Sequence, residues 1–230
     1  MFRHEVKYVI SSYSAELLKA KIASVCEADS HAFQNGAYYI KSLYLDTIDD
    51  RFLAETINGV NVRHKYRIRT YNNESSRIRL EEKFSENGLK HKEACNISLQ
   101  QFLDIQSGNI LTQIQPGQDV LGIMQGEYLA SFLKPTVIVS YKRVPYVYPS
   151  GNMRITFDYD ICASSPGNNF FEDNGPVYNV TDQSEVVLEV KYDELLPKAI
   201  KQILDSSGLG PVTAFSKYAM ARETLDKMEG

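Results

Sequence analysis

The chain has 230 residues, 43% hydrophobic and 23% charged, with fifteen Tyr and ten Phe, a composition that excludes disordered, collagenous and low-complexity classes. No apolar run approaches the roughly 20 residues of a bilayer-spanning helix, and Arg3, His4, Glu5 and Lys7 leave no room for an apolar secretory signal after Met1, so a cytoplasmic location is expected. The net charge of −4 is unevenly spread: residues 63–92 hold nine Lys/Arg against four Glu, a local +5, which leaves sixteen basic against twenty-five acidic residues elsewhere, or −9. Such a chain suits a focused anion site better than the broad basic surface that nucleic acid requires.

In chain order, Phe2 to Ile10 alternates with period 2 and predicts a strand, with Arg3, Glu5 and Lys7 on one face. A helix capped by Ser14 follows, with Leu17, Leu18, Ile22 and Val25 as its apolar stripe, ending near Asp29. After a loop over 30–37 comes a strand from Tyr38 to Leu45. A short helix capped by Asp46 or Thr47 then runs to about Thr56, and Asn58-Gly59 makes a turn. Val62 to Tyr71 places Arg63, Lys65, Arg67 and Arg69 on one face of a strand, because side chains alternate. Arg77 to Phe84 repeats the pattern with Arg77, Arg79, Glu81 and Lys83. Leu89 to Ala94, beyond the Asn87-Gly88 turn, adds Lys90 and Lys92.

Ser98 caps a helix to about Gln106, and residues 117–133 read as a helix that Pro135 stops. Strands are expected over Thr136 to Tyr148, Met153 to Ile161 and Ser184 to Tyr192, with a long loop at 163–176. A helix follows Pro197 and stops at Gly208, and the last helix spans Pro211 to about Lys227. With no repeat and no linker, the chain reads as one domain over residues 1–230.

A single alternating strand is most simply half of a solvated antiparallel sheet. Here several strands carry cations on the same face, which repel one another unless an anion lies among them. Closing the sheet also removes its edges, so the expected fold is α+β: a closed antiparallel tunnel with a charged lumen, covered by helices. Arg and Lys are the groups that hold phosphate oxygens. Among the interleaved Glu5, Glu81, Glu189 and Asp158, Glu189 is the strongest candidate ligand for Mg²⁺ or Mn²⁺, which take hard oxygen donors. P-loop, dinucleotide-binding and zinc-protease motifs are absent, and His4, His31, His64 and His91 lack ligand spacing. His4 and His64 fall opposite the cations, which favours packing roles. Cys26, Cys95 and Cys162 fit neither a disulfide framework nor a CxxC site.

The segments RHEVKY, YYIKSLYLDT, HKYRIRTY, RLEEKF, SYKRVPY, RITFD, VVLEVKY and PVTAFSKY occur in an order and spacing that resembles the VTC domain. That is the polyphosphate polymerase branch of the triphosphate tunnel metalloenzyme, or CYTH-like, superfamily. The resemblance implies an eight-stranded tunnel in which Lys7, Arg67, Arg69, Lys83, Lys92, Arg143, Arg154, Lys191 and Lys217 hold phosphates and Glu189 binds the metal. Arg63, Lys65 and Glu5, on the same faces, complete the candidate substrate-binding set. It further implies transfer of the terminal phosphoryl group of ATP to growing inorganic polyphosphate with Mn²⁺ or Mg²⁺. Hydrolysis of tripolyphosphate or a nucleoside triphosphate, and non-catalytic polyphosphate binding, are the alternatives. The superfamily's opening ExExK has Arg3 at its first position here, which suits the polymerase branch. Eukaryotic relatives carry SPX and membrane segments that this sequence lacks, so a separate membrane protein partner at the inner face of the membrane is the corresponding expectation.

Overall fold

The computed structural model describes residues 4–29, 32, 36–86, 89–148, 152–212 and 215–229. Arg3, His31 and the Asn87-Gly88 turn lie outside the described residues, as does the side chain of Lys90. The strands are β1 (His4–Ser11), β2 (Glu27–Ala28), β3 (Tyr38–Asp46), β4 (Arg63–Tyr71), β5 (Ile78–Glu86), β6 (Leu89–Ile97), β7 (Lys134–Val147), β8 (Arg154–Ser164), β9 (Tyr178–Asn179) and β10 (Glu185–Tyr192). The helices are α1 (Ser12–Ala23), α2 (Arg51–Ile57), α3 (Leu99–Gln106), α4 (Asp119–Ser131), α5 (Lys198–Asp205) and α6 (Lys217–Glu229).

The fold is α+β. Its sheet follows the order β1-β10-β8-β7-β3-β4-β5-β6, eight strands as expected, with β2 on β7 and β9 on β8 as two-residue additions. The order starts at β1 and ends at β6, and no ladder joins these two among the described residues, so the expected closure is not made by backbone hydrogen bonds. No helix among the described residues is long and apolar enough to cross a membrane.

The chain forms two compact units, each assembled from three segments. The first comprises residues 1–39, 141–161 and 181–215, the second residues 40–140, 162–180 and 216–230. In the first unit β1 pairs antiparallel with β10 and β10 with β8, setting Lys7 opposite Glu189, Glu5 opposite Lys191 and Lys191 opposite Arg154. Tyr8, Ile10, Ile155, Phe157, Leu188 and Val190 project from the other face into a core covered by Leu18 and Ile22 of α1 and Ile200 and Leu204 of α5. In the second unit β4, β5 and β6 form an antiparallel meander on β3. Its core gathers Leu43, Tyr66, Ile68, Leu80, Phe52 of α2, Phe102 of α3 and Met124 of α4.

Three boundaries differ from the sequence reading for reasons visible in the hydrogen bonding. α1 is capped by Ser11 rather than Ser14: the Ser11 hydroxyl accepts from the Ser14 backbone N–H at 3.1 Å. α2 starts at Arg51, five residues beyond Asp46, yet the fully buried Asp46 carboxylate still caps it, accepting from the N–H groups of Phe52 (2.8 Å) and Leu53 (2.9 Å). α6 begins at Lys217 instead of Pro211 and is fastened at its first turn, where the Tyr218 hydroxyl donates to Asp46. One turn on, Arg222 forks onto both Asp50 oxygens at 2.9 and 3.0 Å. That clamp holds Asp50 in a left-handed conformation (φ 56°) that non-glycine residues rarely adopt.

Candidate phosphate-binding and metal site

In the second unit the cation-rich strands come together as the alternation predicts. Lys65, Lys83 and Lys92 are directly opposite one another across β4, β5 and β6. The next row holds Arg67 and Glu81, and the next Arg69 and Arg79, with Arg63 at the far end beside Ser85. Glu81, 2% exposed, is the anionic centre of this face. It accepts from Arg67 Nε at 2.6 Å and from Lys92 Nζ, with Arg69 3.9 Å away. β3 supplies two hydroxyls, Tyr44 accepting from Arg67 (3.3 Å) and Ser42 accepting from Arg69 (3.2 Å). Lys65 donates to the Ser216 hydroxyl at 3.2 Å, immediately before Lys217 at the start of α6.

The electrostatics of this face show an excess of positive charge. Burial alone would push the Glu81 carboxyl up, but Arg67, Arg69 and Lys92 outweigh it and hold the group well below the ordinary carboxylate range. Burial also opposes ionisation of Tyr44 and Tyr71, yet both phenols are lowered, Tyr44 by Arg67 and Arg69 and Tyr71 chiefly by Arg69. Lys92 is lowered by burial and by repulsion from Arg67 and Arg69 despite its contact with Glu81. Because the folded value of Glu81 is depressed, its stabilising effect is complete above the unfolded value of ~4.3 and declines as pH falls toward the folded one. Glu81→Gln removes that titration, so its acid unfolding limb below about pH 4.5 should be shallower than that of the unsubstituted protein, as circular dichroism at graded pH would register.

In the first unit the polar face of β1, β10 and β8 alternates signs. Lys191 Nζ lies 3.0 Å from Glu189 and 3.7 Å from Glu5, and Lys7 Nζ lies 3.1 Å from Glu5 and donates to the Phe215 carbonyl at 3.0 Å. Burial and the neighbouring Glu189 carboxylate push the Glu5 carboxyl up, while Lys191 and Lys7 prevail and lower it overall. Arg143, from β7, forks onto Asp158 through Nε (2.6 Å) and Nη2 (2.7 Å), and its Nη2 is 3.5 Å from Glu189. Arg154 Nη2 donates to Tyr38 and meets Asp29, each at 2.7 Å.

All thirteen residues singled out from the sequence therefore fall into two groups. Lys7, Glu5, Arg143, Arg154, Lys191 and Glu189 belong to the first unit, and Arg63, Lys65, Arg67, Arg69, Lys83, Lys92 and Lys217 to the second. Tyr38, Ser42, Tyr44 and Asp29, which hold the cations in place, gave no local signal, since each meets its partner through tertiary contacts. Lys41 was also missed: although on β3 beside the charged residues, it is buried and paired with Asp173 at 2.9 Å from the 163–176 loop. His4 stacks on Tyr192 and His64 lies against Phe52 and Phe84, in agreement with packing roles.

As a metal site, the first unit offers Glu5 and Glu189, hard oxygen donors, with the Glu189 charge near enough to push the Glu5 carboxyl up. No group of three or more His, Cys, Asp or Glu suited to a metal occurs among the described residues. Two carboxylates supplemented by phosphate oxygens and water fit Mg²⁺ or Mn²⁺, which seldom use all-protein cages.

The VTC domain family matches residues 2–226, and the chain belongs to it. No curated protein matches the sequence. Among solved structures, a Bacillus halodurans protein provisionally assigned as an adenylate cyclase aligns with a TM-score of 0.55 at 14% identity, covering 94% of this chain and 97% of that one. A Hippeastrum adenylyl cyclase candidate, described as having a dominant triphosphatase activity, aligns with a TM-score of 0.51 at 16% identity over 97% and 96%. A Vibrio parahaemolyticus protein, also provisionally an adenylate cyclase, aligns with a TM-score of 0.50 at 10% identity over 96% and 98%. At these identities the likeness shows the fold alone. The chain is thus a VTC-domain protein with the fold that these structures share.

Proposed function

We propose that this protein is a polyphosphate polymerase that transfers the γ-phosphoryl group of ATP to the end of an inorganic polyphosphate chain and releases ADP. The observation that carries the reading is the row Lys65, Lys83, Lys92 beside Arg67 and Arg69, with one carboxylate among them. Directly opposed like charges cost stability, and a linear polyanion relieves that cost along the length of the row. The terminal phosphate of the acceptor chain is already an anionic nucleophile, so no general base is required. The work of the protein is alignment and neutralisation of charge at the phosphoryl group in flight. In the first unit Lys7, Arg154 and Lys191 hold phosphates and Arg143 and Lys191 orient Glu189; in the second unit Arg67, Arg69, Lys83, Lys92 and Lys217 bind phosphates. A Mn²⁺ or Mg²⁺ ion on Glu189, with Glu5 adjacent, would supply Lewis-acid stabilisation of the phosphoryl oxygens.

A second reading, a triphosphatase, is favoured by the activity described for the Hippeastrum neighbour and differs in letting water attack. Incubation of the purified protein with ATP and Mn²⁺ separates the readings: ADP with long polymer supports the polymerase, free phosphate alone supports hydrolysis, and binding without turnover supports a polyphosphate-binding module. The reaction is placed in the cytoplasm, where ATP is plentiful, with a separate membrane protein as the partner that would receive the polymer. Nucleic acid is not expected to compete. Arg69→Ala tests the cationic face more cleanly than Arg67→Ala, because Arg67 carries the close pair with Glu81. It should weaken polyphosphate binding by about tenfold and reduce the slope of affinity against salt. Unaltered affinity and slope in a filter or calorimetric assay would place Arg69 outside the site.

A further inference from the structure

Among the described residues, several buried side-chain polar atoms lack a hydrogen-bond partner, but only one belongs to a residue that is itself buried: Oγ1 of Thr156, 4% exposed. Thr156 is the third residue of β8, directly opposite Glu189 on β10. Two residues before it, on the same face of the strand, is Arg154, whose Nε is also buried and without a partner although its Nη2 is engaged. Two residues after it is Asp158, fully occupied by Arg143. An orphaned hydroxyl in such a place is costly, since a buried donor left unmade forfeits its hydration without return. Valine has the same shape, favours strands equally and would avoid the cost. Both orphaned atoms are N–H or O–H donors, and they sit on one face with Lys191, opposite Arg154 in the register. Donors gathered beside cations call for an anionic oxygen.

We propose that Thr156 is a substrate-binding residue whose hydroxyl donates a hydrogen bond to a non-bridging phosphate oxygen of a phosphoanhydride, next to the Nε of Arg154. The assignment rests on the phosphoanhydride reading above and adds a contact that orients the phosphate relative to Glu189. Arg154 supplies charge, whereas Thr156 supplies direction, because a single short hydroxyl on a rigid strand tolerates little displacement of its acceptor.

The test uses tripolyphosphate as the probe, with calorimetric affinity and thermal unfolding measured for the intact chain and for T156V and T156S, in Mn²⁺ and in chelator. T156V should bind about tenfold more weakly in both conditions, whereas T156S, which retains the hydroxyl, should bind close to normally. Without ligand, T156V should melt no lower than the unsubstituted protein, since the hydroxyl removed had no partner, but its tripolyphosphate-induced rise in Tm should be smaller. Equal affinities for T156V and the parent would overturn the proposal and leave the phosphoanhydride reading intact. A lower Tm of ligand-free T156V would reveal a structural partner and overturn it likewise. Weakening only in Mn²⁺ would assign the hydroxyl to water around the metal rather than to phosphate. Failure of the parent itself to bind tripolyphosphate would remove the phosphoanhydride reading and this contact with it.

Discussion

Glu189→Gln is expected to lower metal-dependent turnover by about 10²–10³-fold, a loss of several kcal/mol of transition-state stabilisation, while polyphosphate binding in chelator is retained or slightly tightened. The side chain is almost fully buried on β10, with Lys191 at 3.0 Å and Arg143 at 3.5 Å fixing its two oxygens. The amide keeps the shape but loses the charge that a hard divalent ion requires. Removing a carboxylate also leaves Lys191 and Arg143 with less local neutralisation, which raises their attraction for phosphate. The two effects therefore have opposite signs, and measuring ADP release and polyphosphate affinity on the same preparation resolves them. Persistence of full Mn²⁺-dependent turnover in the variant would rule Glu189 out as the metal ligand. Parallel loss of turnover and binding would instead indicate a role in shaping the phosphate site.

The second large effect is on stability. Asp158→Ala should destabilise the protein by about 3–5 kcal/mol, lowering Tm by about 10 °C. Asp158 is fully buried and Arg143 nearly so, and the fork between them is bidentate. Burial by itself would lower the Arg143 pKa, but Asp158 more than offsets this and raises it further above its ordinary value. A guanidinium keeps its proton in a protein even without a partner, so removing Asp158 leaves an uncompensated buried charge that accounts for most of the cost. Replacing both residues together, Arg143→Met with Asp158→Leu, should recover much of the lost stability. It should leave turnover impaired, because Glu189 loses one of the groups that orient it. Additive losses in the double variant would show that the two side chains do not stabilise the fold as a pair.

What the sequence determined by itself is the pattern that repeats locally. Period-2 alternation from Arg63 to Arg69 and again from Arg79 to Lys83 was enough to assign the cations to one face, and the structure places Lys65, Lys83 and Lys92 in one row. The apolar positions of β1, β8 and β10 were readable for the same reason and form the first unit's core. Residue patterning also indicated the helices, and the YLDT and FSKY segments were recognised as a resemblance. Their physical connection was not visible: Tyr218 meets Asp46 across 172 positions of sequence, and that contact accompanies the displaced starts of α2 and α6.

Only the tertiary structure decided the partners. Which carboxylate faces which cation depends on register between strands far apart in the chain, such as β1 with β10, and a slip of one residue would turn every side chain to the other face. Hence Arg143 could be recognised as a site candidate without its fork on Asp158 being foreseen, and Arg154 without Asp29 and Tyr38. Thr156 is the extreme case. Its type and position look like an ordinary strand threonine, and its lack of a partner exists only once the surrounding strands have removed it from water. Local periodicity fixes which face a residue occupies, but desolvation and pairing arise from packing between distant segments.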